Sequence, residues 1–270
     1  MHTISAFADE ISPHLAVQIA ELKRHGLHGL DLRSVEGVNV LDLTDTQLKE
    51  VRTQCADVEL KVQAIGSPVN KVPFSQRARE EENEKLRRAI HAAEMTGTKR
   101  IRIFSPEGAG DLAKEDEAVI DWLTEQRDIA QGAGMILLHE NDAKFWGAYP
   151  ENSKKLFAAL GNDHFKAAFD FANTILLGFN PWQDWFPWII PYLDTLHIKD
   201  AIKEEGRVVP AGQGEGNIAA ILMVLQQVRW QGTLTLEPHL AATGPFGGFS
   251  GEQLFEEAVN ALRLVLLEFN

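Results

Sequence analysis

The sequence alternates eight times between a short β-branched or apolar run and a longer charged run with helical periodicity. The eight predicted strands are Ile4–Glu10, His28–Ser34, Leu60–Ser67, Arg100–Ser105, Met135–Asn141, Lys166–Asn173, Asp194–Asp200 and Thr233–Pro238. Each is followed by a segment that we expect to be helical. Eight strand–helix units in a chain of 270 residues are typical of a (β/α)8 barrel.

An open, doubly wound sheet is the alternative for this alternation. Its first strand usually leads into a glycine-rich turn, and the N-terminal segment ISAFADEIS contains no glycine. No linker, low-complexity tract or change in composition divides the chain. We therefore predict the α/β class and one TIM-barrel domain over residues 1–270.

Certain residue types predict where the helices begin and end. We expect N-caps at Ser12 before Pro13, at Thr44 with Gln47, and at Ser250 with Gln253. The helix Gln76–Thr96 should end at Gly97. The glycine-rich segment Gly244–Gly251 precedes the last helix and is expected to be a loop or a flexible lid.

Charge and cysteine content exclude several function classes. The chain has 26 Lys and Arg against 39 Asp and Glu, a formal net charge of −13. This balance argues against nucleic-acid phosphates and against an anionic membrane surface as partners. The N-terminus lacks the basic region of a signal peptide, so a cytoplasmic location is expected. The single cysteine, Cys55, excludes an intramolecular disulfide and a multi-thiolate zinc site, and we expect it to fill the core.

Four predicted strands end in residues that can bind metals. They are Glu140 in MILLHEN, Asp170 in KAAFDFAN, His197 in TLHIKD and Glu237 in TLTLEPHL. The carboxyl ends of barrel strands meet at one face, where active sites of this fold lie. A buried carboxylate is costly unless a cation neutralises it. The four residues therefore predict a site for one divalent ion, and the donor set suits Mn²⁺, Mg²⁺, Co²⁺ or Zn²⁺.

Lys199 shares strand parity with His197, so both side chains should point into the barrel mouth. Beside a cation and buried walls, the pKa of Lys199 could be lowered, which would make it a catalytic base or an electrophile. The alternative is a rim ion pair with Asp200 or Glu215.

Three further residues near strand ends are candidates for substrate binding. His239 follows Glu237 by two positions, and a surface-loop histidine is the alternative. Glu10 and Arg33 end the first two predicted strands and could bind substrate hydroxyl or anionic groups, or form an ion pair at the rim. His139 faces away from the mouth and is interpreted as a packing residue.

A tryptophan-rich segment, NPWQDWFPWIIPYL, places Trp182, Trp185 and Trp188 at helical i, i+3 spacing. Core packing or a dimer contact is favoured over a sugar-stacking platform. A homo-oligomer is therefore left open.

Several motifs resemble the xylose isomerase-like TIM-barrel superfamily, specifically its sugar phosphate isomerase/epimerase group. They are SAFADEISP, AIGSPVNK, IRIFS, HEN, FDFAN, HIKD, the GQGEGN loop and LEPHL, and they cover essentially the whole chain. The resemblance implies one divalent metal bound by Glu140, Asp170, His197 and Glu237. It also implies that the two glutamates flank the reacting carbons as acid/base groups.

The sequence departs from this resemblance at Asn173, where many epimerases of the superfamily have a histidine three residues after the metal aspartate. The resemblance implies a substrate contact there, altered in this chain. The HIKD pattern also looks like that of inosose dehydratases. A DNA-repair branch with extra histidine ligands is excluded by Ser67 and Ser105 at those strand ends and by the net charge.

The predicted function is a divalent-metal-dependent isomerase or epimerase of a sugar or sugar-like hydroxy-ketone. It would act by proton transfer through a metal-stabilised enediolate, with Glu140, Glu237 and Lys199 as catalytic residues. A dehydratase or lyase acting on a keto-sugar or inosose is the alternative with the same site. A non-catalytic sugar-binding barrel is the alternative from another class.

Overall fold

A computed structural model of the chain describes residues 2–108, 116–241 and 250–268. Eight parallel strands close into a barrel in the order β1-β8-β7-β6-β5-β4-β3-β2, which confirms the predicted TIM barrel. The strands are β1 (Thr3–Ala6), β2 (Gly29–Leu32), β3 (Lys61–Ile65), β4 (Arg100–Ile103), β5 (Ile136–Glu140), β6 (Phe165–Asp170), β7 (Leu193–Ile198) and β8 (Thr233–Leu236). Most of the predicted loop Gly244–Gly251 lies outside the described residues.

Helices follow the strands around the outside of the barrel. They are α1 (Leu15–Arg24), α2 (Asp45–Asp57), α3 (Gln76–Thr96), α4 (Asp116–Gly132), α5 (Pro150–Leu160), α6 (Phe171–Leu176), α7 (Phe186–Ile189), α8 (Ile218–Gln227) and α9 (Gly251–Leu267). Two small hairpins, 34–39 and 200–209, follow β2 and β7 at the carboxyl end of the barrel. No helix within the described ranges is long and apolar enough to cross a membrane.

The strands end earlier than their sequences predict. The strand predicted over Ile4–Glu10 stops at Ala6, and Ala8–Glu10 forms a 3₁₀ turn. The strand predicted over Lys166–Asn173 stops at Asp170, whose side chain caps the helix that begins at the next residue. The residues at the rim therefore lie in the turns and loops that lead to the helices, and not in the sheet.

Two of the predicted helix boundaries are confirmed in detail. Thr44 caps α2 in a reciprocal capping box with Gln47. The helix α3 spans the predicted residues and ends at Gly97, which has a left-handed φ of 82°.

Two predicted N-caps are wrong. Helix α1 begins at Leu15 after His14, and the Ser12 hydroxyl accepts a hydrogen bond from the His14 N–H ahead of the helix. Ser250 precedes α9 but does not cap it, because its Oγ accepts the Leu240 N–H at 3.2 Å and its hydroxyl donates to the buried Glu10 carboxylate at 3.1 Å. Partners outside the helix have thus replaced the N–H groups of its first turn.

The main hydrophobic core lies between the barrel and the helices, and a smaller cluster of Ala64, Leu138 and Ala168 lies inside the barrel. The barrel interior also contains polar side chains, whereas bulky aliphatic side chains usually fill it in this fold. The Ser5 and Thr235 hydroxyls lie 2.9 Å apart, and Thr235 donates to the buried Asp31 carboxylate at 3.1 Å. Polar side chains thus continue from the mouth down into the barrel.

Side chains on the outer faces of the strands and on the helices pack as the sequence predicts. His139 is buried against Phe157 and Phe165, and burial lowers its pKa to about 4. The side chain of Cys55 is buried in the core. Trp185 is fully buried, whereas Trp182 is 41% exposed. The homo-oligomer stays a prediction.

The outer layer is tightly packed at Gly147, in the turn after β5. A Cβ atom at this position would lie 2.4 Å from the His139 ring and 3.0 Å from Ser105 Oγ. We expect Gly147→Ala to lower the free energy of unfolding by about 1–3 kcal/mol, because both neighbours are buried. Urea unfolding measures this change.

Gly132→Ala is the matched control, because a Cβ at the end of α4 meets no atom within 4 Å. It should change the free energy of unfolding by less than about 1 kcal/mol. Equal stability of the two variants would contradict the packing described around His139.

Candidate metal centre

The four predicted metal ligands come together at the carboxyl end of the barrel. Glu140 and Asp170 end β5 and β6, His197 is the penultimate residue of β7, and Glu237 directly follows β8. One ligand atom from each lies within 4.8 Å of the others. All four side chains are at most 3% exposed. We call these residues the tetrad.

The imidazole of His197 lies between the two glutamates of the tetrad. Its Nδ1 is 3.2 Å from Glu140 Oε1 and 3.5 Å from Glu237 Oε2. The ring of Phe7 packs edge-on against it, with the ring centroids 5.3 Å apart. Burial and two carboxylates therefore orient this ring before any ligand binds.

Asp170 is held so that one carboxylate oxygen faces the centre. Its Oδ1 accepts the Asn173 N–H at 2.8 Å, as the cap of α6. Its backbone N–H donates to Asn141 Oδ1 at 2.7 Å, and Asn141 Nδ2 donates back to its carbonyl at 2.9 Å. Sequence reasoning missed Asn141, although its position directly after Glu140 in HEN is a usable signal.

Several buried atoms of the tetrad make no hydrogen bond. They are Glu140 Oε2, Asp170 Oδ2 and His197 Nδ1, and each has only ionic neighbours outside hydrogen-bond geometry. Buried polar atoms in proteins are normally satisfied, so three such atoms in one place need a partner. Carboxylate oxygens and an imidazole nitrogen suit a divalent cation. The tetrad could therefore hold a divalent ion.

Lys199 contacts the tetrad from the loop after β7. Its Nζ lies 2.9 Å from Asp170 Oδ2, 3.1 Å from Glu237 Oε2 and 3.3 Å from His239 Nδ1. The expected alternative pairing with Asp200 or Glu215 is not formed. The Asp200 carboxylate instead accepts the backbone amides of Ala201, Gly212, Gly214 and Gly216.

Among the carboxylates of the tetrad the pKa of Lys199 is raised, whereas the lowering predicted beside a bound cation stays a prediction. Burial alone lowers this pKa, but the carboxylates of Asp170, Glu237 and Glu140 raise it well above its usual value. Lys199 is therefore an ammonium ion in this arrangement, able to donate a proton or a hydrogen bond.

Arg102, on β4, is a second cation at the tetrad, and sequence reasoning missed it. Its Nη1 lies 3.2 Å from Glu140 Oε2 and 3.8 Å from Glu237 Oε1. Its guanidinium packs between the rings of Phe7 and Phe104, at 4.8 and 4.9 Å. An arginine between isoleucines in the short strand RIRI was the available signal.

Arg33 is the third cation and lies against three carboxylates. Its Nε donates to Asp9 Oδ2 at 2.8 Å and its Nη1 to Glu237 Oε1 at 3.0 Å. Its Nη2 is 3.6 Å from Glu10 Oε1. The sequence predicted Arg33 and Glu10 at the mouth, and the structure brings both to Glu237.

His239 lies at the mouth, 22% exposed, above the buried Glu10. Its backbone N–H donates to Glu10 Oε2 at 2.8 Å, and its ring Nε2 is 2.8 Å from Glu10 Oε1. The backbone of His239 is left-handed, with φ of 48°. Such strain in a non-glycine residue persists only where neighbours enforce it, and Glu10 does so. Asn173 is half-buried in α6, where its backbone N–H donates to the capping Asp170 carboxylate.

The tetrad acids differ in their readiness to bind a proton. Burial raises the pKa of Glu140, but His197 and Arg102 outweigh it and lower the value to about 2. Burial likewise raises the pKa of Glu237, but Lys199 and His239 hold this pKa well below its usual value. Burial dominates at Asp170 and raises its pKa to about 6, despite Lys199.

Metal affinity should therefore depend on pH through Asp170. Below about pH 6 this carboxyl holds a proton in the metal-free protein, and binding an ion must release it. Release of this one proton should lower Mn²⁺ affinity about fivefold between pH 6 and 5 and by about tenfold for each further pH unit. Titration calorimetry in two buffers of different ionisation enthalpy measures both affinity and proton release.

Asp170→Asn should weaken Mn²⁺ binding and abolish this proton release. Asp163→Asn, in which the carboxyl of an exposed aspartate is removed, is the matched control and should behave as wild type. Equal affinity in Asp170→Asn and wild type would exclude Asp170 as a ligand.

Comparison with known proteins places this geometry in a family. Residues 19–265 match the family described as Xylose isomerase-like TIM barrel. Comparison with curated protein sequences gives no significant match.

Solved structures with the same fold cover nearly the whole chain. The IOLI protein with a bound zinc atom is 16% identical, with a TM-score of 0.78 and coverage of 99% of each chain. L-ribulose 3-epimerase is 16% identical, with a TM-score of 0.75, covering 100% of this chain and 96% of that one. The probable 3-DHS dehydratase AsbF from Bacillus anthracis is 16% identical, with a TM-score of 0.75 and coverage of 97% and 99%. At this identity the structural likeness establishes the fold, and the family match establishes that the chain belongs to the xylose isomerase-like TIM-barrel family.

Proposed function

We propose that this chain is a divalent-metal-dependent isomerase or epimerase of a sugar or sugar-like hydroxy-ketone. The supporting observation is the pair of buried glutamates, Glu140 and Glu237, that converge on one centre from β5 and β8. Both have lowered pKa values and are therefore ionised at neutral pH. Each can accept a proton from carbon.

A divalent ion held by the tetrad would polarise the substrate carbonyl and so acidify the C–H bond on the carbon next to it. Either glutamate could then remove this proton, and the other could return one. Return to the opposite face of the same carbon gives an epimer, and return to the neighbouring carbon gives an isomer. His197 and Asp170 would complete the ion's ligands from fixed positions, which favours a defined substrate orientation.

Relatives with the same fold support this class of reaction. They include an L-ribulose 3-epimerase and a zinc-containing IOLI protein. The tetrad of this chain has the donor chemistry that such a metal site needs.

Dehydration is the second candidate, and the position of Lys199 favours it specifically. Its ammonium group lies 3.1 Å from Glu237 Oε2 and 3.3 Å from His239 Nδ1. After proton removal from carbon, a donor at this place could protonate a departing β-hydroxyl, which leaves as water while a carbon–carbon double bond forms. A probable dehydratase is among the proteins with the same fold.

A deuterium-exchange experiment separates these functions. With Mn²⁺ and a panel of keto-sugars in D₂O, we expect deuterium at the carbon next to the carbonyl without loss of water. A new enone would instead indicate dehydration. Sugar binding without exchange would indicate a non-catalytic barrel and would contradict the proposal.

Glu237→Gln should lower the exchange rate by about 10²–10⁴-fold, because the amide cannot accept the proton. Since Glu237 is also a proposed ligand, the Mn²⁺ content of the variant is measured in parallel and restored by excess metal. Glu252→Gln, at an exposed position in α9, is the control and should keep the wild-type rate. Full exchange in metal-loaded Glu237→Gln would remove this residue from the proton transfer.

A further inference from the structure

We propose that the site takes an uncharged polyhydroxy ketone and discriminates against its phosphate esters. This inference rests on the proposed function and names its substrate class. It follows from the charges and the hydrogen-bonding atoms that surround the tetrad.

Nine buried or largely buried charged side chains form what we call the mouth cluster: Asp9, Glu10, Asp31, Glu140, Asp170, Glu237, Arg33, Arg102 and Lys199. Carboxylates outnumber the permanent cations by three. One divalent ion leaves one negative charge. Protonation of Asp31, whose pKa burial raises, brings the cluster only to neutrality. The loaded site therefore has no positive excess for a phosphate, which adds about two negative charges.

The cations of the mouth cluster are already paired with carboxylates of the chain. Arg33 faces Asp9, Glu10 and Glu237 with its three nitrogens. Lys199 lies between Asp170 and Glu237. An anionic substrate group that approached either cation would meet these carboxylates at a few ångströms, in a setting that screens charge poorly.

The third cation of the mouth cluster, Arg102, and a lysine at the rim, Lys71, are engaged in the same way. Arg102 is paired with Glu140 and enclosed by aromatic rings. Lys71, at the rim, lies 2.9 Å from Asp142 Oδ2 and 4.2 Å from the centroid of the Phe104 ring. By sequence, segment 242–249 has no ionisable side chain, and segment 109–115 has two acids and one lysine.

Most of the buried atoms of the mouth cluster that make no hydrogen bond are acceptors, and the one donor among them, Arg102 Nε, belongs to the guanidinium enclosed by Phe7 and Phe104. Five of its carboxylate oxygens are buried and make no hydrogen bond: Asp9 Oδ1, Glu10 Oε1, Asp31 Oδ1, Glu140 Oε2 and Asp170 Oδ2. Those of Asp9 and Glu10 lie outside the tetrad. A sugar hydroxyl can donate to such an oxygen, whereas a phosphate dianion has only acceptors. Together these acceptors complement a polyol more closely than a phosphate, although His239 Nε2, Arg102 Nη1 and Lys199 Nζ lie 2.8–3.2 Å from three of them.

The test compares D-fructose with D-fructose 6-phosphate, and D-ribulose with D-ribulose 5-phosphate, in the Mn²⁺-loaded protein. In the pair whose free ketose reacts faster, we expect kcat/KM for deuterium exchange to be about 100-fold or more higher for the free ketose than for its phosphate ester. Equal or faster exchange with the ester overturns the inference, while the proposed function stands.

A binding measurement decides the matter if none of these sugars reacts, a result that would count against the proposed function alone. Sorbitol and sorbitol 6-phosphate are titrated into the same Mn²⁺-loaded protein. We expect sorbitol to bind at least about tenfold more tightly. Tighter binding of the phosphate, or no binding of sorbitol, overturns the inference.

A variant links the preference to the mouth charges. Asp9→Asn removes one carboxylate and frees Arg33 Nε. The ratio of kcat/KM, or of affinity, for the ester to that for the free sugar should therefore rise about tenfold. Asp163→Asn makes the same change at a 99% exposed aspartate and should leave the ratio unchanged. An unchanged ratio in Asp9→Asn would overturn the claim that these charges set the preference.

Discussion

The burial of six carboxylates beside three permanent cations at one end of the barrel is the constraint on which the rest of the structure depends. Isolated charges in such a place would be unfavourable, so each must have a partner at close range. Strands β5 to β8 supply the tetrad, and neighbouring strands and loops supply the cations. The excess of carboxylates is what makes the centre suitable for a divalent ion.

Loops at the carboxyl end are tied to this centre by their own buried polar groups. Glu10 connects the end of β1 to His239 and to Ser250 at the start of α9. Asp200 gathers backbone amides of the loop 212–216 directly after Lys199. The polar layer at the mouth thus positions the residues that the proposed chemistry uses, while the apolar layer outside the barrel provides stability.

Periodicity and parity in the sequence predict the barrel and the tetrad, because both depend on local alternation along single strands. Arg102 and Asn141 were missed because their roles come from neighbours on other strands. The predicted capping by Ser250 failed for the same reason, since Glu10 is far away in sequence. The raised pKa of Lys199 comes from three carboxylates on other strands, which the sequence around Lys199 does not reveal.

The central claim is that the tetrad binds one divalent ion. Anomalous diffraction from crystals grown with Mn²⁺ tests it most directly. The expected result is one strong peak per chain, within about 2.0–2.6 Å of donor atoms from Glu140, Asp170, His197 and Glu237. A peak placed instead between Glu10, Glu237 and His239, a second group of side chains in the described part of the chain that lie close enough to bind an ion, would contradict the claim. The absence of any peak at the tetrad would contradict it equally.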